Sequence, residues 1–245
     1  MRTIPKIVHY CWFGNNEKPQ DVKKCIETWK KHMPDYEFME WNESNFDMEQ
    51  AIPYVKQAYE AKKYAFVSDF VRIQALYRFG GVYFDTDIEV LKSFEEYLDD
   101  RDVVLGFESE RSLITAFIAV SKEHPYIKEF MESYYERSFL KEDGTYDLTT
   151  INERFSALME THGVDLNRNE YQEFGPGCAV YPIEIFCGFD VTNWHENITG
   201  KTCTVHHMAA SWLPGAKGVK LRIIKMIQKI IGYERYDRLK QRLKG

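Results

Sequence analysis

The chain has 245 residues, a length that suits one α/β domain with additions or two small domains. Hydrophobic residues make up 44% and aromatics 15%, enough apolar surface to pack a core, which excludes a disordered chain. The net charge of −6 is uneven: residues 216–245 carry ten Lys/Arg against two acids, a net +8, leaving −14 on residues 1–215. An acidic body excludes general nucleic-acid binding, and the basic tail points to an anionic surface as its partner.

Residues 4–10 read as a first strand, followed by a Gly14-Asn15-Asn16 turn. Residues 19–31 read as a helix, with Pro19 in the first turn and Val22, Cys25, Ile26 and Trp29 at helical spacing. Tyr36–Trp41 reads as a second strand, so the chain opens as a βαβ unit, the start of a parallel sheet. Residues 55–79 read as one helix whose Phe66, Phe70, Ile73 and Tyr77 share a buried face. Gly80-Gly81 ends it, and Val82-Tyr83-Phe84 begins the next strand. Val103–Phe107 is a further strand, 124–135 and 150–162 are helices, and 202–207 is a last strand. Residues 137–149 and 163–182 read as loops, with Gly175-Pro176-Gly177 the sharpest break. Cys11, Cys25, Cys178, Cys187 and Cys203 form an odd set without C-x-x-C spacing, which favours a reducing compartment and argues against a disulfide framework or zinc knuckle. With no apolar run of signal-peptide or membrane-spanning length, a cytoplasmic location is expected.

Asp85 and Asp87 stand one residue apart at the end of the apolar strand 82–84. Strand alternation sends both side chains to one face, and two carboxylates at a strand's carboxyl end make half of a hard-cation site where open α/β sheets bind ligands. The plainer alternative is a solvated pair opening a loop. On the preceding helix, Asp69 and Arg72 are surface neighbours in a strip beside the apolar face. They could hold sugar hydroxyls and a phosphate, or form an ordinary ion pair. Trp12 follows the first strand, where it could stack on a nucleobase or simply pack. His206 and His207 face opposite sides of a strand, so one of them can complete a site begun by carboxylates, or both are structural. The tail 216–245 reads as a basic amphipathic helix that either lies on anionic lipid or docks on the body.

Taken together, the segments Ile4-Pro-Lys-Ile-Val-His-Tyr-Cys-Trp-Phe-Gly14, Ala65-Phe-Val-Ser-Asp-Phe-Val-Arg72, Leu76-Tyr-Arg-Phe-Gly-Gly-Val-Tyr-Phe-Asp-Thr-Asp87 and His206-His-Met-Ala-Ala-Ser-Trp212 resemble glycosyltransferase family 32. That family contains DXD sugar transferases of capsular polysaccharide synthesis and initiating mannosyltransferases, and it is distantly similar to the catalytic domains of large glucosylating toxins. The resemblance implies an α/β GT-A fold over residues 1–215, with a Rossmann-like, mostly parallel central sheet flanked by helices. It also implies a retaining transfer from a nucleotide-sugar, UDP-sugar favoured, to a glycan hydroxyl in capsular or cell-surface polysaccharide synthesis, dependent on Mn²⁺ or Mg²⁺. By similarity, Asp87 ligates the metal directly and Asp85 contacts it through water and reaches the donor. Ser68, Asp69 and Arg72 hold the donor, with Arg72 near the phosphates, and Asp69, Arg72, Asp85 and Asp87 form the catalytic set. Tyr83 lines the donor site, Trp12 stacks on the base and Trp212 touches the diphosphate. A late histidine completes the metal sphere; spacing to Trp212 favours His207 over His206, with Ser211 a weaker candidate. The acceptor is a glycan, lipid-linked in the reading that puts residues 217–245 on an anionic membrane surface at the inner face of the cytoplasmic membrane.

Two other readings compete with this one. One is a metal-dependent phosphohydrolase with an aspartyl nucleophile, which wants Thr or Val where Glu89 stands. The other is a nucleotide-sugar-binding, membrane-docked protein without turnover.

Overall fold

The computed structural model describes residues 3–190 and 195–208. The basic tail, the boundary expected at residue 215, Ser211 and Trp212 lie outside the described residues. The chain begins with β1 (Ile7–Cys11), α1 (Gln20–His32) and β2 (Glu37–Trp41), as a βαβ opening requires. Two helices follow, α2 (Pro53–Glu60) and α3 (Tyr64–Phe79). The single helix expected over 55–79 is thus broken, and Lys62 sits at the break with φ 56°. Nothing in the apolar periodicity marks this residue, because the core-facing stripe resumes in phase after it.

α3 leads into β3 (Gly81–Phe84), after which come β4 (Ile88–Val90), a single 3₁₀ turn (Glu95–Tyr97), β5 (Val103–Ser109), β6 (Ser112–Leu113), β7 (Phe117–Val120), α4 (Pro125–Glu132) and α5 (Ile151–Thr161). The chain continues with β8 (Gln172–Gly175), β9 (Cys178–Tyr181), α6 (Ile183–Phe186), β10 (Phe189–Asp190), β11 (His195–Glu196) and β12 (Thr204–His206). The segment read as loop over 163–182 therefore holds a hairpin, β8 to β9, in which Pro176-Gly177 is the turn.

The main sheet has the order β2-β1-β3-β7-β5-β9-β8, with β6 paired to β5. β2, β1 and β3 are mutually parallel, as are β5 and β9, while β7 and β8 run against their neighbours. The sheet is thus mostly parallel, as the GT-A expectation requires. The chain leaves β1 toward β2 and returns on β1's other side as β3. This reversal opens a crevice between the carboxyl ends of β1 and β3, the place where such sheets bind ligands.

Both sheet faces are covered, which is why the strands read as apolar runs without alternation. On one face Trp29 of α1 is fully buried, edge-on to Tyr10 and against Phe84. Beside it Phe117 stacks on Phe186 at 4.0 Å between ring centroids. The other face is covered by α3, whose Phe66, Phe70 and Ile73 are buried as expected, together with Val67, Val71 and Leu76. Tyr77 is only partly buried. All five cysteines are free and buried.

Gly80 and Gly81 are required where α3 passes into β3. Both have positive φ, 66° and 103°, and a Cβ would stand 2.6 Å from Lys122 N at Gly80 and 2.5 Å from Ile7 O at Gly81, so any side chain would push β3 away from its neighbours. His9 clamps the same junction from β1. Its Nε2 donates to Gly80 O at 2.8 Å, and its Nδ1 accepts from Trp41 Nε1 at 3.2 Å.

Candidate active site

The site is built at the carboxyl end of β3. Sheet pairing extends one residue past the strand, where Asp85 N–H donates to Ala116 O at 3.0 Å. The chain then turns, with Ile88 N–H donating to Asp85 O at 3.0 Å. Asp85 and Asp87 therefore converge through a turn rather than as alternate residues of one strand. Trp29 fixes the exit of that turn, its indole N–H donating to Ile88 O at 2.6 Å.

β12 pairs antiparallel with β4, placing His206 opposite Ile88 and Val205 opposite Glu89. This register brings His206 Nε2 to 3.3 Å from Asp87 Oδ1. Ligand atoms of Asp85, Asp87 and His206 all lie within 4.8 Å of one another. His207 points away, and its Nε2 is 2.8 Å from Glu89 Oε2. Of the pair, His206 rather than the preferred His207 faces the carboxylates. Which of the two faces the carboxylates is set by the pairing of β12 to β4.

Asp85 is held from the α3 side. Arg72 Nη2 is 3.2 Å from Asp85 Oδ1 and 2.9 Å from Asp69 Oδ1, and Nη1 donates to Thr115 O at 2.8 Å. The Tyr83 hydroxyl donates to Asp85 Oδ1 at 2.9 Å, and the Arg72 guanidinium lies over the Tyr83 ring at 4.5 Å. The Arg72 side chain is only 5% accessible. Its donors are committed inside the protein. Tyr83 is likewise buried beneath Asp85 and does not line an open surface. Ser68, partly buried one turn before Arg72, donates its hydroxyl to Tyr64 O at 3.0 Å. Trp12 stands just past β1, partly exposed, with Nε1 donating to Asn16 O at 2.7 Å.

The electrostatics follow from crowding acids into a partly dry crevice. Burial pushes the Asp69 carboxyl up to about 7, against the pull of Arg72, because one guanidinium is shared between two carboxylates. Burial works against a charged His206, yet Asp87, with Cys187 and Glu108, outweighs it and holds the imidazole well above its ordinary range. Such a concentration of negative charge attracts a cation. Two partly exposed carboxylates and one imidazole form an oxygen-rich donor set suited to Mn²⁺ or Mg²⁺.

Three residues beside the site were not singled out from sequence. Glu108 at the end of β5 stands 3.4 Å from His206 Nδ1. Asn152 of α5 donates to Glu108 Oε2 at 2.6 Å and accepts from Thr115 Oγ1 at 2.6 Å. Glu108 lies one residue beyond the strand expected over 103–107, a position at the carboxyl edge of the sheet that could have flagged it.

Residues 19–104 match a family model described as the glycosyltransferase sugar-binding region containing DXD motif. The segments at 4–14 and 206–212 fall outside that match. Inositol phosphoceramide mannosyltransferase 3 of Schizosaccharomyces pombe is 32% identical over 139 residues, covering 53% of this chain and 37% of that protein. Initiation-specific alpha-1,6-mannosyltransferase of Candida albicans is 29% identical over 127 residues, covering 48% of this chain and 33% of that protein. The chain spans 37% or less of the length of the curated relatives it matches. Among solved structures, PaToxG Glycosyltransferase superposes with a TM-score of 0.51 at 22% identity, over 66% of this chain and 71% of that one, a likeness of fold. The Asp85–Asp87 turn at the carboxyl end of β3 lies inside the region that matches the DXD-containing sugar-binding region of glycosyltransferases, on a sheet with the GT-A arrangement.

Proposed function

We propose that this protein transfers a sugar from a nucleotide-sugar, UDP-sugar favoured, to a hydroxyl of a glycan acceptor, with retention at the anomeric carbon. The observation that carries the reading is the convergence of Asp85, Asp87 and His206 within 4.8 Å beside the β1–β3 crevice. In this reading Asp87 and His206 hold a divalent cation, with Asp85 reaching it through water. The cation's contribution when bound is Lewis-acid stabilisation of the negative charge that develops on the departing diphosphate.

The chain's own residues do the positioning. Arg72 and Tyr83 fix the Asp85 carboxylate toward the donor's ribose or sugar, and Trp12 offers a flat surface to the base at the neighbouring strand end. Asp85 and Asp87 also provide the negative field that a sugar carrying oxocarbenium character tolerates. Among the described residues none stands out as a nucleophile, so the acceptor attacks from the face the diphosphate leaves, and the leaving phosphate takes its proton. A trapped glycosyl-enzyme adduct would contradict this.

A role in cell-surface polysaccharide synthesis, with a lipid-linked acceptor, is supported by two things. The S. pombe relative is an inositol phosphoceramide mannosyltransferase by name, which points to a lipid acceptor, and the basic residues of 217–245 suit an anionic cytoplasmic membrane face. No helix of the described residues is long and apolar enough to cross a membrane. Removal of residues 217–245 is expected to abolish binding to anionic vesicles; unchanged binding would remove this part of the reading.

The test of the activity is a hydrolysis screen over UDP- and GDP-sugars, with Mn²⁺ or EDTA. Mn²⁺-dependent release of free sugar and nucleoside diphosphate is the expected result. Release of phosphate from simple esters would favour the phosphohydrolase. Donor binding without hydrolysis or transfer would favour the non-catalytic rival.

A further inference from the structure

His206 is flanked by carboxylates at both ring nitrogens. Nε2 faces Asp87 Oδ1 at 3.3 Å, and Nδ1 faces Glu108 Oε1 at 3.4 Å. Nδ1 is buried and makes no closed hydrogen bond. A buried nitrogen left unpaired costs free energy, and Glu108 is the acid aimed at it. Cys187 also lies against this ring, but its thiol hydrogen is directed to Phe189 O at 3.1 Å, which leaves the Glu108 carboxylate as the strong acceptor. Glu108 does not itself belong to the Asp85, Asp87 and His206 cluster, so any influence it has on a bound cation passes through the imidazole.

Glu108 is itself anchored. Asn152 Nδ2 donates to Glu108 Oε2 at 2.6 Å and to Leu113 O at 3.1 Å, and Asn152 Oδ1 accepts from Thr115 Oγ1 at 2.6 Å. Thr115 also accepts Arg72 Nη1 through its carbonyl. One residue thus ties together the two arms of the site: through its carbonyl the Arg72–Asp85 arm, and through its hydroxyl the Asn152–Glu108–His206 arm.

We propose that Glu108 is a positioning residue which accepts a hydrogen bond from Nδ1–H of His206 and so presents Nε2, lone pair outward, to the cation beside Asp85 and Asp87, with Asn152 and Thr115 fixing the carboxylate that does this. An imidazole can donate through only one nitrogen when neutral, so an acceptor at Nδ1 selects the tautomer that ligates through Nε2 and raises its basicity. The proposal rests on the metal reading given above.

The test measures Mn²⁺ binding to the full chain without nucleotide, by calorimetry, together with the ¹⁴N coupling of bound Mn²⁺ in pulsed EPR. Wild type is expected to show the imidazole coupling and His206→Ala to lose it. If wild type shows none, the ligand reading fails and this inference with it. Given the wild-type signal, Glu108→Gln is expected to weaken Mn²⁺ binding about 10- to 100-fold and to diminish the coupling. Asn152→Ala and Thr115→Val are expected to weaken it less, and Thr115→Ser, which keeps the hydroxyl, to bind as wild type does. Melting of the metal-free variants identifies any that fail to fold, in which case Asn152→Ala and the Thr115 pair decide. Binding within twofold of wild type and unchanged ¹⁴N coupling in the folded Glu108 and Asn152 variants would overturn the proposal, as would equal loss in Thr115→Ser and Thr115→Val.

Discussion

The buried guanidinium of Arg72 holds the Asp85 carboxylate in place, Nη2 lying 3.2 Å from Asp85 Oδ1 while the same nitrogen donates to Asp69 at 2.9 Å. An arginine can do this because its planar fork presents several donors at fixed angles, whereas a lysine ammonium is a single point charge on a flexible stem. Arg72→Lys is therefore expected to keep the charge but lose the simultaneous contacts to Thr115 O, Asp69 and Asp85, with donor turnover falling on the order of 100-fold. Arg72→Met leaves Asp69 buried without its partner and should cost about 3–5 kcal/mol in urea denaturation. Wild-type turnover in Arg72→Lys would show that Asp85 needs no such support.

Tyr83→Phe removes one hydroxyl, the donor to Asp85 at 2.9 Å. The ring remains packed, so the expected cost is about 1.5–3 kcal/mol, the range for a hydrogen bond to a charged group. Donor turnover should fall by about tenfold with little change in Mn²⁺ affinity, since Asp85 reaches the cation only through water in this account. A large loss of Mn²⁺ affinity would place Asp85 in direct contact with the cation.

His206 and His207 provide a neighbouring pair with opposite expectations. His206→Ala should weaken Mn²⁺ binding by about 10- to 100-fold. His207→Ala, which removes only the exposed pairing to Glu89, should leave it within about twofold. The reverse order, measured by calorimetry, would return the ligand role to His207.

His9 predicts how stability changes with pH. Burial lowers its pKa to about 4, opposed by the bond to Gly80. The neutral ring is matched to its partners, donating to Gly80 O and accepting from Trp41, and a second ring proton would face the Trp41 N–H. The unfolded chain takes up a proton as pH falls through about 6.5 and the folded chain does so only near 4. This contribution is therefore complete above about pH 6.5 and is lost as pH falls toward 4, a change of up to about 3 kcal/mol. His9→Gln, whose amide can also donate and accept, should be less stable than wild type at pH 7. That difference should shrink by about 2 kcal/mol at pH 4.5. Parallel stability curves from pH 4.5 to 7 would contradict the assignment.

The central part of the fold was legible because local chemistry and global topology agree there. Trp29 and Cys25 mark the buried face of α1, Gly80-Gly81 cannot carry side chains, and Val82–Phe84 is an apolar run ending in carboxylates. The break at Lys62 was not legible, since the apolar stripe of Val55 and Ala58 continues in phase with Phe66 and Phe70. β8 and β9 were hidden by short strands around a Pro-Gly turn. At the site, the residue types were legible and their partners were not. That His206 rather than His207 faces the carboxylates follows only from the register of β12 on β4. Seeing that Arg72 serves Asp85 needs the depth of α3 against β3. Glu108, Asn152 and Thr115 meet only through pairings between β5, the segment before β7 and α5, which no local pattern announces.

Asp87 and its neighbours are proposed to make a metal-dependent glycosyltransferase site. The most direct measurement is donor hydrolysis at saturating nucleotide-sugar by wild type and Asp87→Asn, each with Mn²⁺ and with EDTA. Turnover is expected only for wild type with Mn²⁺, with a loss of at least about 1,000-fold in the variant, whose melting should stay close to that of wild type. Turnover that survives the substitution, or proceeds undiminished in EDTA, would contradict it.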